Sequence, residues 1–167
     1  RWLATVDTVA ATLVNQHRLH DKAWVNYKFN SYGWLNNSDV LYYLSEETGF
    51  SHLYIKPLNG QARAVTTGNY EVDALTLSSD DQFIYFKANK KHPGIYEIYR
   101  AALKDDTLQV LTNLNGMTDY QLSPDEQSLL LSHSSLVRPP ELYLQSVTDK
   151  SAIQLTQTIS QAFLDIN

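Results

Sequence analysis

Val72-Asp73-Ala74-Leu75-Thr76-Leu77, then Ser78-Ser79-Asp80-Asp81, then Phe83-Ile84-Tyr85-Phe86-Lys87-Ala88 is the stretch whose reading decides the fold. The first six residues alternate in polarity, the period of a strand. Ser78 to Asp81 reads as a turn, because serine and aspartate side chains bond nearby backbone amides. Phe83 to Ala88 is nearly continuous in apolar and aromatic residues, as in a strand buried on both faces. Downstream, Lys90 to Gly94, with Pro93, reads as a polar loop. Ile95 to Ala101 and Leu108 to Thr112 read as two more strands. Four short strands in sequence form one antiparallel unit.

The same layout appears twice more. Ahead of it stand Asn36-Asn37-Ser38-Asp39, Val40-Leu41-Tyr42-Tyr43, Leu53-Tyr54 and Val65-Thr66. Behind it stand Ser123-Pro124-Asp125, Leu129-Leu130-Leu131, Leu142-Tyr143 and Leu155-Thr156. Tyr54, Tyr99 and Tyr143 are separated by 45 and 44 residues, and Thr66, Thr112 and Thr156 by 46 and 44. Four-stranded antiparallel units at this period are the blades of a β-propeller. The fold class is therefore all-β: a partial β-propeller of about three and a half four-stranded antiparallel blades. Residues 24–68, 70–114 and 117–158 are full blades. Residues 1–20 are the outer half of another, with strands expected at Trp2 to Asp7 and Ala11 to His17. In the tail 159–167 the spacing of Ile159, Phe163 and Ile166 suits a short helix. A complete propeller at roughly 40–50 residues per blade needs about twice this length.

With 167 residues and 43% hydrophobic content the chain can build a real core. Its net charge of −5 argues against nucleic acid or an anionic membrane surface as partner. No apolar run approaches the roughly 20 residues of a membrane span. The absence of cysteine excludes disulfides and thiolate metal sites.

Several motifs carry a family resemblance. Ser45-Glu46-Glu47-Thr48-Gly49-Phe50-Ser51-His52-Leu53-Tyr54 resembles the Ser-Glu-x-x-Gly-aromatic-x-His-Leu-Tyr signature of the N-terminal propeller of the dipeptidyl peptidase IV / prolyl oligopeptidase family. Thr67-Gly68-Asn69-Tyr70-Glu71-Val72 is similar to that family's Thr-x-Gly-x-aromatic-Glu-Val. Ala23-Trp24-Val25-Asn26, Tyr85 to Asn89 and Pro139 to Tyr143 fall in the family's order. The resemblance spans roughly residues 20 to 160 and places the chain in the C-terminal part of the propeller. It implies a covalently linked α/β-hydrolase domain, absent from these residues, that releases dipeptides from peptide N-termini. The propeller would fence that active site and help bind the peptide. Bacterial relatives are commonly exported, which implies a periplasmic or secreted protein.

No catalytic residue is expected within the chain. None of the six glycines frames a serine in the G-x-S-x-G pattern of hydrolases. His133, Ser134 and Ser135 are neighbours on a strand, so adjacent side chains point to opposite faces. Glu46-Glu47 could hold an ammonium group, yet it lies outside the family's upstream glutamate pair and reads as an exposed hairpin turn. His52 reads as a hydrogen-bonded structural residue. His17 and His20 lack the carboxylates of a metal site, so no metal and no cofactor is expected. Gly49 and Gly68 read as turn residues of positive φ. Trp24, Glu46, Gly49, His52, Tyr54, Gly68 and Glu71 are thus structural signature positions, with Trp24 expected to pack between sheets. The resemblance brings Tyr27, Lys28 and Phe29 near the extended substrate pocket; blade packing is the other reading of the same residues.

Two function classes follow: the noncatalytic propeller portion of a serine exopeptidase, or a stand-alone propeller-type protein-binding scaffold. In either, three and a half blades leave open ends. Leu129 and Leu131 are expected to be exposed at one end, an unpaired edge along Trp2 to Asp7 at the other, and the chain to self-associate through them.

Overall fold

Fourteen strands and one short helix make up the computed structural model, which describes residues 1–165. β1 (Trp2–Asp7) and β2 (Thr12–Arg18) form a two-stranded half-sheet. β3 (Tyr32–Trp34), β4 (Val40–Ser45), β5 (His52–Pro57) and β6 (Arg63–Ala64) form the first four-stranded sheet, in chain order. The second comprises β7 (Val72–Leu77), β8 (Phe83–His92), β9 (Ile95–Ala102) and β10 (Leu108–Val110). The third comprises β11 (Met117–Leu122), β12 (Ser128–Ser135), β13 (Arg138–Ser146) and β14 (Ala152–Gln154). Within each sheet every pairing is antiparallel, and one parallel bridge, Met117 to Tyr96, joins the second sheet to the third.

The turns follow from their side chains. The Ser78 hydroxyl donates to Asp80 (2.7 Å) and accepts from the Phe83 amide (2.9 Å), while the Gln82 amide donates to Asp80 (3.0 Å). Ser123, Asp125, Gln127 and Ser128 repeat this set in the third sheet. In both turns the residue after the aspartate, Asp81 or Glu126, takes φ 58°. Each of these two carboxylates reaches back to the preceding unit. Asp81 accepts from the amides of Asn36 and Asn37 (both 2.8 Å), and Glu126 from the Ser79 amide (2.6 Å). The turn therefore folds the chain and also fastens one sheet to the next.

The core lies between sheets. Leu44, Leu53, Val65, Ile84, Phe86 and Tyr99 fill the gap between the first and second, with Phe86 and Tyr99 stacked at 5.8 Å. Tyr85, Ile98, Leu111, Leu129, Leu131 and Val147 fill the gap between the second and third. A smaller cluster of Leu41, Tyr43 and Tyr54 meets Leu3 of the half-sheet. The second sheet is covered on both faces, which accounts for its continuous apolar strands.

Three expectations are corrected, and the short helix expected in the tail is present. β8 runs on to His92, so Lys90 to His92 are strand and the hairpin turns only at Pro93-Gly94. Trp24 is 73% exposed, because the Asp21 carboxylate accepts the amides of Ala23 (2.7 Å) and Trp24 (3.1 Å) and closes a turn outside the sheets. Leu129 and Leu131 are fully buried; apolar residues exposed on the third sheet include Met117, Leu142, Leu144 and Ile153, with Leu155 just past β14. In the tail, α1 is a single turn, Gln161–Leu164, capped by the Ser160 hydroxyl. Ile166 lies outside the described residues.

Candidate functional site

The third strand of each sheet carries a buried polar residue in its first half, and the three have one job. Glu97 accepts the Thr112 hydroxyl and the Asn115 amide (2.8 Å). Glu141 accepts the Thr156 hydroxyl and the Thr158 amide (2.6 Å). His52 stands in the same place. Its Nε2 donates to the Gly68 carbonyl (2.9 Å), which leaves Nδ1 to accept from the Thr66 hydroxyl (3.1 Å). Each threonine oxygen also accepts the next backbone amide of the third strand, Leu53, Ile98 or Leu142, at 2.9 Å. A carboxylate faces an amide in two sheets, and an imidazole N–H faces a carbonyl, that of Gly68, in the other. Burial pushes the His52 imidazole down, favouring the neutral ring that this bonding needs. These pairings clamp the start of each third strand to the chain that follows its fourth.

His17 sits 3.1 Å from the Ser45 hydroxyl and stacks on Tyr43 at 4.6 Å between the half-sheet and the first sheet. Glu46 and Glu47 diverge: the half-buried Glu46 accepts the Asn26 amide (3.0 Å), whereas Glu47 is exposed, 3.9 Å from His17. The two carboxylates do not converge on a shared ligand position.

The residues Tyr27, Lys28 and Phe29 lie on the segment that leads into β3, and they separate sharply. Tyr27 is 83% exposed, while Phe29 is 1% exposed within the first inter-sheet core. Lys28 lies between them in character. Its ammonium pairs with Asp73 of β7 (3.2 Å) and sits over the rings of Phe29 (5.1 Å) and Tyr96 (5.6 Å). Asp73 also meets Lys87 of β8 (4.0 Å), and Lys87 pairs with Asp119 of β11. The result is an alternating ladder, Lys28–Asp73–Lys87–Asp119, crossing three sheets, with its inner pair shielded and its outer members about half exposed. The Tyr96 phenol donates to Glu71 (3.1 Å); burial and that carboxylate push it up to about 12.

Asp73 is held by a bulge in β7. The register shifts between Asp73 and Thr76, Ala74 takes φ 53°, and the Ala74 amide donates to the Asp73 carboxylate (2.8 Å). The Tyr120 phenol fixes the bulge by donating to the Ala74 carbonyl (2.7 Å). Such a bulge re-aims a side chain off the regular pleat. The ladder was not foreseen from the sequence, although a signal exists: Lys28, Asp73 and Asp119 are 45 and 46 residues apart. Asp73 and Asp119 occupy one position of the second and third sheets, opposite Lys87 and Ser132, whereas Lys28 comes to them from the segment ahead of β3. Chemically, the site offers paired donors and acceptors of balanced charge beside aromatic rings, which suits a polar peptide backbone.

The family model described as "Dipeptidyl peptidase IV (DPP IV) N-terminal region" matches residues 1–140. "Protease 2" of Moraxella lacunata is 30% identical over 148 residues, covering 77% of this chain and 20% of that protein. "Dipeptidyl peptidase 4" of Arthroderma otae is 28% identical over 138 residues, covering 80% and 18%. The chain thus spans about a fifth of the length of these curated relatives. The crystal structure of Porphyromonas gingivalis dipeptidyl peptidase 4 superposes over 99% of this chain and 23% of its own, with TM-score 0.78 at 17% identity. TolB from Acinetobacter baumannii covers 92% of this chain and 37% of its own, at 0.63 and 16%. Both likenesses are of fold. An all-β chain of repeated antiparallel sheets, matched by that family model over most of its length, belongs to the family of the dipeptidyl peptidase IV N-terminal region.

Proposed function

We propose that this chain is the noncatalytic propeller portion of a dipeptidyl-peptidase-like serine exopeptidase, three four-stranded blades and the outer half of a fourth. It gates the active site and helps bind peptide substrates for an α/β-hydrolase domain carried elsewhere in the full-length protein. The observation that carries this reading is the family match over residues 1–140. The ladder supports one location for that binding. Tyr27 and Lys28 are the exposed members of the lead-in segment and would touch peptide, whereas Phe29 holds that segment against the core. A periplasmic or secreted location belongs to the same proposal.

The test uses the full-length protein and a dipeptidyl chromogenic substrate. Turnover that is abolished by a serine-directed inhibitor is expected from the full-length protein, and none from the chain alone. The variants Tyr27→Ala and Lys28→Ala are expected to raise KM several-fold with kcat little changed, the mark of lost uniform binding. Full-length protein without peptidase activity, or unchanged KM in both variants, would overturn the proposal.

A further inference from the structure

The repeat gives an internal standard for what fills the gap between two sheets. In the first sheet Tyr42 of β4 stands opposite Ile55 of β5, and in the second Tyr85 of β8 stands opposite Arg100 of β9. Ile55 is 8% exposed within the first inter-sheet core. At the equivalent place in the next gap stands a guanidinium, and a cavity of about 380 Å³ lies there. Both of its walls are internal to the chain. Asp80, Phe83, Tyr85 and Arg100 come from the second sheet and its first turn, Asp125 and Glu126 from the matching turn of the third. The Arg100 guanidinium lies 4.4 Å over the Phe83 ring, and its Nε donates to Gln109 (2.8 Å). Asp80 and Asp125 each commit Oδ1 to their own turn, and Glu126 commits Oε1 to the Ser79 amide. The second oxygen of each carboxylate has no hydrogen-bond partner among the described residues. Tyr85 is 2% exposed, yet its phenol oxygen also lacks a partner among the described residues and is not sealed in the core. A buried phenol ordinarily finds a partner; this one opens onto the cavity that the side chain lines.

We propose that this cavity between the second and third sheets binds a guanidinium cation. Among its lining residues three carboxylates face one arginine, which leaves a surplus of two negative charges. The acidic groups are too dispersed for a metal ion: among the described residues no three histidine or carboxylate side chains gather as a metal site requires. The free acceptors are three carboxylate oxygens and a phenol, each on a separate residue. A guanidinium meets such a spread with N–H donors fanned in one plane, and its flat face stacks on aromatic rings. An alkylammonium is a compact point charge with three donors and no face to stack. Arg100 already shows the mode by lying on Phe83. The same chemistry reaches the site either as an arginine side chain of a peptide or as a free small guanidine. The proposal stands apart from any peptidase role, since it invokes neither the ladder nor the hydrolase domain.

Isothermal titration of the full-length protein tests it, with ethylguanidinium chloride as probe and propylammonium chloride as control. Ethylguanidinium should bind, and propylammonium should bind roughly ten-fold more weakly. Asp80→Asn with Asp125→Asn keeps Oδ1 as the turn acceptor on each residue and removes both charges. That double variant should weaken ethylguanidinium about ten-fold or more, and Tyr85→Phe should weaken it several-fold. Arg100→Gln removes the resident competing cation and should tighten ethylguanidinium several-fold, an effect that a purely structural arginine would not produce. Far-ultraviolet circular dichroism checks the fold of each variant. Should the double variant lose its strand signal, the two single variants replace it, each expected to bind several-fold more weakly than the parent. Acetylarginine amide binding more tightly than ethylguanidinium assigns the site to arginine side chains of a peptide, and binding more weakly assigns it to a free guanidine. No heat of binding from ethylguanidinium, equal binding of propylammonium, unchanged affinity in the folded aspartate variants, or weaker binding in Arg100→Gln would each overturn the proposal.

Discussion

The clamp at the head of β9 permits a quantitative prediction. Thr112→Val keeps the shape of the side chain and removes only its hydroxyl. Thr112 is 1% exposed and Glu97 2% exposed, so water does not replace what is lost. Two groups are orphaned. The Ile98 amide loses its acceptor at 2.9 Å, and one Glu97 carboxylate oxygen loses its donor. A buried unsatisfied amide costs about 1–3 kcal/mol, and a hydrogen bond to a charged group about 1.5–3 kcal/mol. Allowing for partial relaxation, the substitution should cost about 3–4 kcal/mol, a large share of the 5–15 kcal/mol typical of a domain. For a chain of this size that is a fall of roughly 10 °C in Tm. Urea unfolding followed by circular dichroism measures it. Thr156→Val in the third sheet supplies the comparison, because Thr156 and Leu142 are partly exposed and water can take the vacated places. Its loss should be less than half as large. A Thr112→Val variant within about 0.5 kcal/mol of the parent, or a greater loss at Thr156, would refute the view that these bonds stabilise through burial.

Three other outcomes are expected. Trp24→Ala should leave the stability within about 0.5 kcal/mol of the parent, as for a surface substitution, because the indole stands 73% exposed outside the sheets; a sharp drop in the thermal midpoint would show that it packs against something. Asp81→Ala should cost about 1 kcal/mol, since it removes bonds to the Asn36 and Asn37 amides that are largely solvent-exposed; an unchanged urea midpoint would show that the turn carboxylate does not fasten the sheets. Burial pushes the imidazoles of His17, His52 and His133 down. The unfolded chain therefore binds more protons below the ordinary histidine value of about 6.5, so stability is full above that value and declines as pH falls beneath it. A second decline should come only below about pH 4, where Asp7, Asp80, Asp81 and Asp125, all held down mainly by hydrogen bonds from their own turns or the neighbouring sheet, take up protons. A urea midpoint that stays flat between about pH 7 and pH 5 would contradict the histidine part.

What the sequence reveals depends on whether a feature is periodic. The strands are legible because turn residues, apolar runs and the threonine clamp recur at one spacing, and each copy corroborates the others. Features with local causes are not. Trp24 invites burial by its size alone, yet a single carboxylate two to three residues upstream turns it outward. Lys90 and Lys91 invite a loop by polarity, yet β8 pairs with β9 to the tip of the hairpin, where a strand can carry charge because no neighbouring sheet covers it. The run Leu129-Leu130-Leu131 lacks the alternation that would show which members face inward; that is settled by register, through Leu131 opposite Tyr143 and Leu130 opposite Leu144.

The charge ladder falls between these cases. Its members differ in type, so a search for identical residues passes over them, although three of the four keep the repeat spacing. Stacking of repeats sets residues of one position side by side in space. Were Lys28 an aspartate like its ladder partners Asp73 and Asp119, three carboxylates would line one stripe and repel. The lysine at the first position and Lys87 between the other two make the stripe alternate in sign. An alternating stripe is stable without a ligand, and its half-exposed ends still present one cation and one anion to a zwitterionic or amide-bearing chain. Under the proposed reading, that combination would suit a peptide backbone better than a single charged group, which a stripe of one sign would favour.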